Sequence, residues 1–181
     1  MKDNATAYGE GQVVATVDDS FAGMLFENMV YDQDNNRFLL ASIRSGEIYQ
    51  IDEKDDFSPF ISDANAEKGP WGAVDMVISQ DNQSLWVASA SMPQYNGVSE
   101  QNLGSAMISQ YRLSDGELKK RFKLDDLKAP KLITALHVGQ NGNLYFLSLF
   151  EQTIYQFQEV FGVALDDIKC PLLVEAFWIR F

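Results

Sequence analysis

Few side chains in this sequence combine a reactive type with a position where chemistry is possible. Glu27 is a carboxylate at a place that recurs further along the chain as the apolar Val74 and Ile133. Beside it runs a polar row of Asn28, Asp75 and Thr134, reached by aligning the chain on Gln33, Gln80 and Gly139. Carboxylates and amide carbonyls are hard oxygen donors suited to Ca²⁺ or Mg²⁺, with Zn²⁺ as an alternative, and a carboxylate beside the ion can activate water. Glu27 is therefore the candidate metal ligand and Asp75 the candidate catalytic base. Asn28 and Thr134 join the candidate ligand-binding residues. Asn and Asp at strand starts also satisfy main-chain N–H groups of nearby loops, and the sequence leaves both readings open. Arg44 can pair with a carboxylate or phosphate, or stay solvated. Trp71 and Tyr95 can stack on a sugar or aromatic ligand, or cover the tops of the sheets.

Several other chemistries lack their residues. His137 is the sole histidine and stands in an apolar strand, in the row of Tyr31 and Ile78, where it reads as a packed core residue. A serine triad would have to use it, and no Gly-x-Ser-x-Gly elbow is present. Walker, His-Glu-x-x-His and Gly-x-Gly-x-x-Gly motifs are absent too. Cys170 stands alone, so neither an internal disulfide nor a cysteine-cluster zinc site can be built.

Three repeats must position these side chains. A polar turn runs into an apolar segment ending in Ser at Gln33 to Ser42, at Gln80 to Ser89 and at Gln140 to Ser148. An apolar segment precedes each: Met29-Val30-Tyr31, Met76-Val77-Ile78 and Ala135-Leu136-His137. A Tyr, polar, apolar triplet follows: Tyr49-Gln50-Ile51, Tyr111-Arg112-Leu113 and Tyr155-Gln156-Phe157. Each unit reads strand, tight turn, strand, loop, strand. The spacing, about 50 residues, is that of a propeller blade rather than of a leucine-rich or helical repeat. Near-continuous apolar runs rich in Tyr, Trp, Phe, Val and Ile predict sheets covered on both faces.

The expected fold is thus all-β: a partial, open β-propeller of about three four-stranded antiparallel blades, over 26–66, 70–125 and 130–158. Fourth strands are expected at Phe57 to Ile61 and Glu117 to Leu124, the latter entered through Ser114-Asp115-Gly116. Residues 1–25 form an N-terminal segment with a candidate orphan outer strand at Gln12 to Val17. Residues 159–181 form an apolar tail that fits no fourth unit. The second unit carries an insertion between Ser89 and Tyr111, expected to contribute little to any strand. In an up-and-down meander the start of each first strand and the loop between the second and third strands share one end of the sheet. Glu27, Asn28, Asp75 and Thr134 therefore gather at the end that also receives Arg44, Trp71 and Tyr95.

The net charge of −12 excludes a basic stripe for nucleic acid or an anionic membrane surface. No apolar run reaches the roughly 18 residues of a membrane span, and the N-terminus lacks the apolar stretch of a secretory signal. A cytoplasmic location is expected, or a secreted or periplasmic one if the N-terminus is trimmed. An arc of three blades leaves two open faces, so self-association is expected.

Phe26-Glu27-Asn28-Met29-Val30-Tyr31-Asp32, then Asn36 to Ser42, then Gly46-Glu47-Ile48-Tyr49-Gln50-Ile51-Asp52, resembles the repeat unit of the gluconolactonase and regucalcin-like six-bladed propellers. The resemblance covers roughly Phe26 to Phe157. It implies a divalent cation in the channel, held by a Glu that Glu27 matches in context, and a metal-bound water that opens lactone rings. Val74 and Ile133 depart from the family's Asn and Asp ligands at the equivalent positions. The expected function is therefore a propeller-domain binding protein for a small molecule such as a lactone or sugar derivative. A metal-dependent hydrolase of such compounds is the alternative, and a truncated product that has lost function a third reading.

Overall fold

A computed structural model describes residues 13, 16, 17, 21, 23–62, 70–124, 133–148 and 152–157. Eleven strands form three antiparallel meanders, and there is no α-helix among the described residues. The first sheet runs β1 (Phe26–Asp32), β2 (Arg37–Ser42), β3 (Ile48–Ile51) and β4 (Phe57–Ile61). The second runs β5 (Gly72–Ile78), β6 (Ser84–Ala90), β7 (Ala106–Arg112) and β8 (Leu118–Lys123). The third comprises β9 (Ile133–Val138), β10 (Leu144–Ser148) and β11 (Thr153–Phe157). The first strands β1, β5 and β9 lie side by side, so the sheets fan out from one line as propeller blades do. Both expected fourth strands are present as β4 and β8. The tail after 157 and most of the expected strand at Gln12 to Val17 lie outside the described residues.

Strand alternation places successive side chains on opposite faces. Leu85 and Val87 of β6 therefore point toward the first sheet, where they join Leu39, Ala41, Ile48 and Ile61 in one core with Ala73, Met76, Tyr111 and Leu113. Ala88 and Ala90 point the other way, into a core with Ile108, Phe122, Leu124, Ile133, Leu144, Phe146 and Phe157. The half-buried Trp86 packs on this second core, its ring 5.8 Å from Phe157. The apolar runs are continuous because the middle sheet is covered on both faces.

Two turns of like sequence close in the same way. Ser42 N donates to Glu47 O and Gly46 N to Ser42 O; Arg112 N donates to Glu117 O and Gly116 N to Arg112 O. Gly46 and Gly116 have φ of 77° and 73°, a region that costs glycine nothing.

Two repeat alignments need correction. Tyr49 pairs with Leu40 and Tyr155 with Phe146, whereas Tyr111 pairs with Leu85. Tyr111 therefore stands two residues further along its strand, and Ser109 occupies the place equivalent to Tyr49. Gln50, Gln110 and Gln156 are the true counterparts. The third hairpin is also one residue shorter than the others: Gly139 N donates to Asn143 O, while Ser79 N donates to Ser84 O across a longer turn.

Candidate functional site

Each first strand begins with the same irregularity. Phe26 pairs with Ser42 and Asn28 with Ala41, leaving Glu27 as an extra residue. Val74 is the extra residue of β5 and Thr134 of β9. Such β-bulges twist a strand and re-aim its side chains, and they concentrate beside functional sites. Their recurrence corrects the polar row read from sequence. Thr134 is equivalent to Glu27 and Val74, and Ala135 is the third member of the row of Asn28 and Asp75. The short third hairpin shifted the alignment by one residue.

The expected residues divide into an exposed group and a buried group. Glu27 and Arg44 are exposed, and Asn28 and Thr134 are half-buried. Asn28 Oδ1 and Thr134 Oγ1 are buried atoms without a hydrogen-bond partner. Asp75 is buried, and its two oxygens accept the main-chain N–H groups of Met76 at 2.9 Å and of Leu136 at 2.5 Å. Burial pushes its carboxyl above the usual range, against the opposing pull of the Leu136 and Met76 amides.

Trp71 and Tyr95 are 2% and 5% exposed and pack with Met107 in a small core of their own. They cover the end of the second blade, the less chemical of the two readings left open by the sequence. Burial raises the Tyr95 phenol above its ordinary value.

The turn that carries Arg44 is clamped on three sides. Ile43 N donates to Leu25 O at 2.9 Å, ahead of β1, and Asn96 N from the inserted segment donates to Arg44 O at 2.9 Å. On the third side Gly72 lies so close that a Cβ there would sit 2.4 Å from Ile43 O. Glycine is required at that contact. Arg44 is thus a solvated guanidinium on a rigid support.

The inserted segment is more ordered in its bonding than its composition predicts. Ala90 pairs with Ala106, Ser91 N donates to Ser105 O, and Gly104 N donates to Ser91 O. Asn102, nearly buried, accepts from Ser91 Oγ and Ser99 N and donates to Gly97 O. His137 is exposed on β9, not packed in a core, because the third sheet has no described neighbour on that face.

Sequence reasoning missed a polar cluster at the opposite end of the blades. Arg37 Nε donates to Asp32 Oδ2 at 2.9 Å, Nη1 to Gln50 Oε1 at 2.7 Å and Nη2 to the carbonyl of Leu113, the residue just after β7 of the second sheet. The guanidinium also lies 4.1 Å from the Phe60 ring centre. Asp32 and Arg37 are direct partners across the β1–β2 hairpin, so cross-strand pairing was the available signal.

Among the described residues the candidate donors fit a divalent cation poorly. Glu27 is a single carboxylate, Val74 interrupts its row, and both Asp75 oxygens are engaged. Among the described residues no three His, Cys, Asp or Glu side chains come together. Nor is any helix of the described residues long and apolar enough to cross a membrane.

No family model and no curated protein matches the sequence. Solved structures do. Virginiamycin B lyase from Staphylococcus aureus aligns with a TM-score of 0.52 at 13% identity, over 76% of this chain and 39% of its own. A candidate 6-phosphogluconolactonase from Bacteroides fragilis aligns with a TM-score of 0.51 at 14% identity, over 76% and 36%. A eukaryotic initiation factor aligns at 0.50 and 11% identity, over 82% and 33%. The chain spans less than two fifths of the length of these structures. Proteins named for such different tasks share only the architecture, and that architecture is the β-propeller, of which the described residues form a three-bladed arc.

Proposed function

We propose that the chain is a non-catalytic binding propeller of the gluconolactonase-like type, taking a small polar molecule such as a lactone or sugar derivative at the end where the first strands begin. The observation that carries this reading is the bulge repeated at Glu27, Val74 and Thr134. It places an exposed carboxylate, the Asn28 amide and the Thr134 hydroxyl at the same end of β1 and β9, the two first strands that flank β5. Arg44 stands on its clamped turn at the same end. The exposed Glu27 and Arg44, with the buried and unpartnered Asn28 and Thr134 oxygens behind them, suit a hydroxyl-rich ligand. The hydrolase alternative needs a free base, and the two amide donors on Asp75 argue against that role.

The test is a titration with D-glucono-1,5-lactone and with gluconate, followed by NMR. Shifts should centre on 25–28, 42–46 and 133–135, and weaken in Glu27→Gln and Arg44→Ala, while lactone opening proceeds at its uncatalysed rate. Absence of shifts at about 10 mM ligand, the weak end of specific binding, would remove the proposal. Accelerated ring opening would replace it with the hydrolase.

A further inference from the structure

The contact between sheets repeats. The first sheet presents Val30, Leu39 and Ala41 to the second, which answers with Met76, Ile78, Leu85 and Val87. The second presents Val77, Trp86 and Ala88 to the third, which answers with Leu136, Leu144 and Phe146. One face of each sheet always gives and the other always receives.

Among the described residues two faces have no neighbouring sheet. On the first sheet Met29 and Tyr31 are 59% and 47% exposed, with Phe38 and Leu40 half-buried beside them. Strand pairing makes these four the counterparts of Met76, Ile78, Leu85 and Val87. On the third sheet His137 is exposed and Tyr145 and Leu147 are half-buried; they stand where Val30, Leu39 and Ala41 stand in the first. Phe21 and Phe26 cover only the outer part of the first face, packing on Tyr49 and Phe57. Among the described residues the arc therefore has a receiving face at one end and a giving face at the other, each without the kind of face that the opposite end supplies.

We infer that two copies of the 181-residue chain dock head to tail, the first sheet of each seating on the third sheet of the other as a further round of the same contact. Head-to-tail contacts close into rings or run on as filaments according to the rotation. Propellers close with four to eight blades, so two three-bladed arcs fall within the closing range and the product is a dimer. Apolar side chains as exposed as Met29 and Tyr31, side by side, mark an interaction surface.

Sedimentation from about 1 to about 200 µM at about 0.15 M salt, where charge repulsion is screened, reads the result. The expected outcome is conversion to twice the 20.4 kDa chain mass with rising concentration. His137→Val should lower the midpoint roughly tenfold by restoring the residue type of Val30 and Val77. Met29→Asp and Leu147→Asp, on opposite faces, should each abolish association, with Tyr31→Lys and Tyr145→Lys in reserve if either loses its sheet spectrum in circular dichroism. A monomer at every concentration overturns the inference. So does association lost in only one of the two Asp variants, which would mean like faces meeting head to head.

Discussion

The Asp75 carboxylate of the second sheet accepts the main-chain N–H of Leu136 in the third at 2.5 Å, while holding Met76 N with its other oxygen at 2.9 Å. Within the described residues β9 has a ladder partner on one side only, so N–H groups on its other edge need acceptors from elsewhere. Asp75 supplies one and ties two blades together near their common line. Asn28, its counterpart one blade earlier, leaves its Oδ1 without a partner, so the tie is specific to the second and third sheets.

Removing it should be costly. Asp75→Ala leaves Leu136 N–H without this acceptor, and a loss of about 2 kcal/mol is expected from urea unfolding. The pH dependence has a definite sign. Because burial raises the folded-state pKa above the unfolded value of about 3.9, the contribution is full below that value and is lost as pH rises through the folded pKa. The stability of the wild type relative to Asp75→Asn should therefore fall over that window. A difference that grows with pH would show that the two amide donors outweigh burial.

Arg37 is the second tie. Its partner Asp32 is 1% exposed at the side chain, and the guanidinium links it to the second sheet through the Leu113 carbonyl. Arg37→Ala strands a buried carboxylate that keeps only Asn35 as a donor, and about 3 kcal/mol should be lost. Arg37→Ala combined with Asp32→Ala should lose less than the sum of the two single variants, in a double-mutant cycle by chemical denaturation. Strict additivity would mean that the pair carries no coupling.

The repeat was legible because turn residues and apolar runs recur with little change; β4 and β8 lay where fourth strands were expected, β8 just after its Ser114-Asp115-Gly116 turn. Register was less legible. One residue missing from the third turn moved Thr134 into the wrong row, and side-chain period 2 turns such a slip into a change of face. Tyr111 was misplaced by two residues, which kept its face and hid the error. The site was harder still, since Asp75 bonding a strand from the next blade depends on how blades stack, and no local pattern encodes that. The burial of Trp71 and Tyr95 depends on where the inserted segment lands.

That segment yields a further expectation. Tyr95 lies against Trp71 and Met107, and joining Ser89 to Ser105 would remove it together with the β6 residue Ala90. Tyr95→Ala should cost about 3 kcal/mol, the usual range for a large buried ring, and Tyr95→Phe much less. Deleting 90–104 should lower the thermal midpoint at least as far as Tyr95→Ala does. An unchanged midpoint after the deletion would show the segment to be a passive excursion.

Glu27 decides the metal question. A family-type cation site would need several oxygen donors around one ion, and Ca²⁺ takes six to eight. Here the equivalents of Glu27 in the next two blades are Val74 and Thr134, and the Asp75 oxygens already hold two amides. Water must fill most of the remaining positions, and sites of so few protein charges bind weakly. Calorimetry of the metal-free 181-residue chain should therefore detect Ca²⁺ and Mg²⁺ no more tightly than about 1 mM, with Glu27→Gln folding as stably as the wild type because its side chain is exposed. Binding tighter than about 10 µM that disappears in Glu27→Gln would restore the cation, and with it the metal-dependent hydrolase.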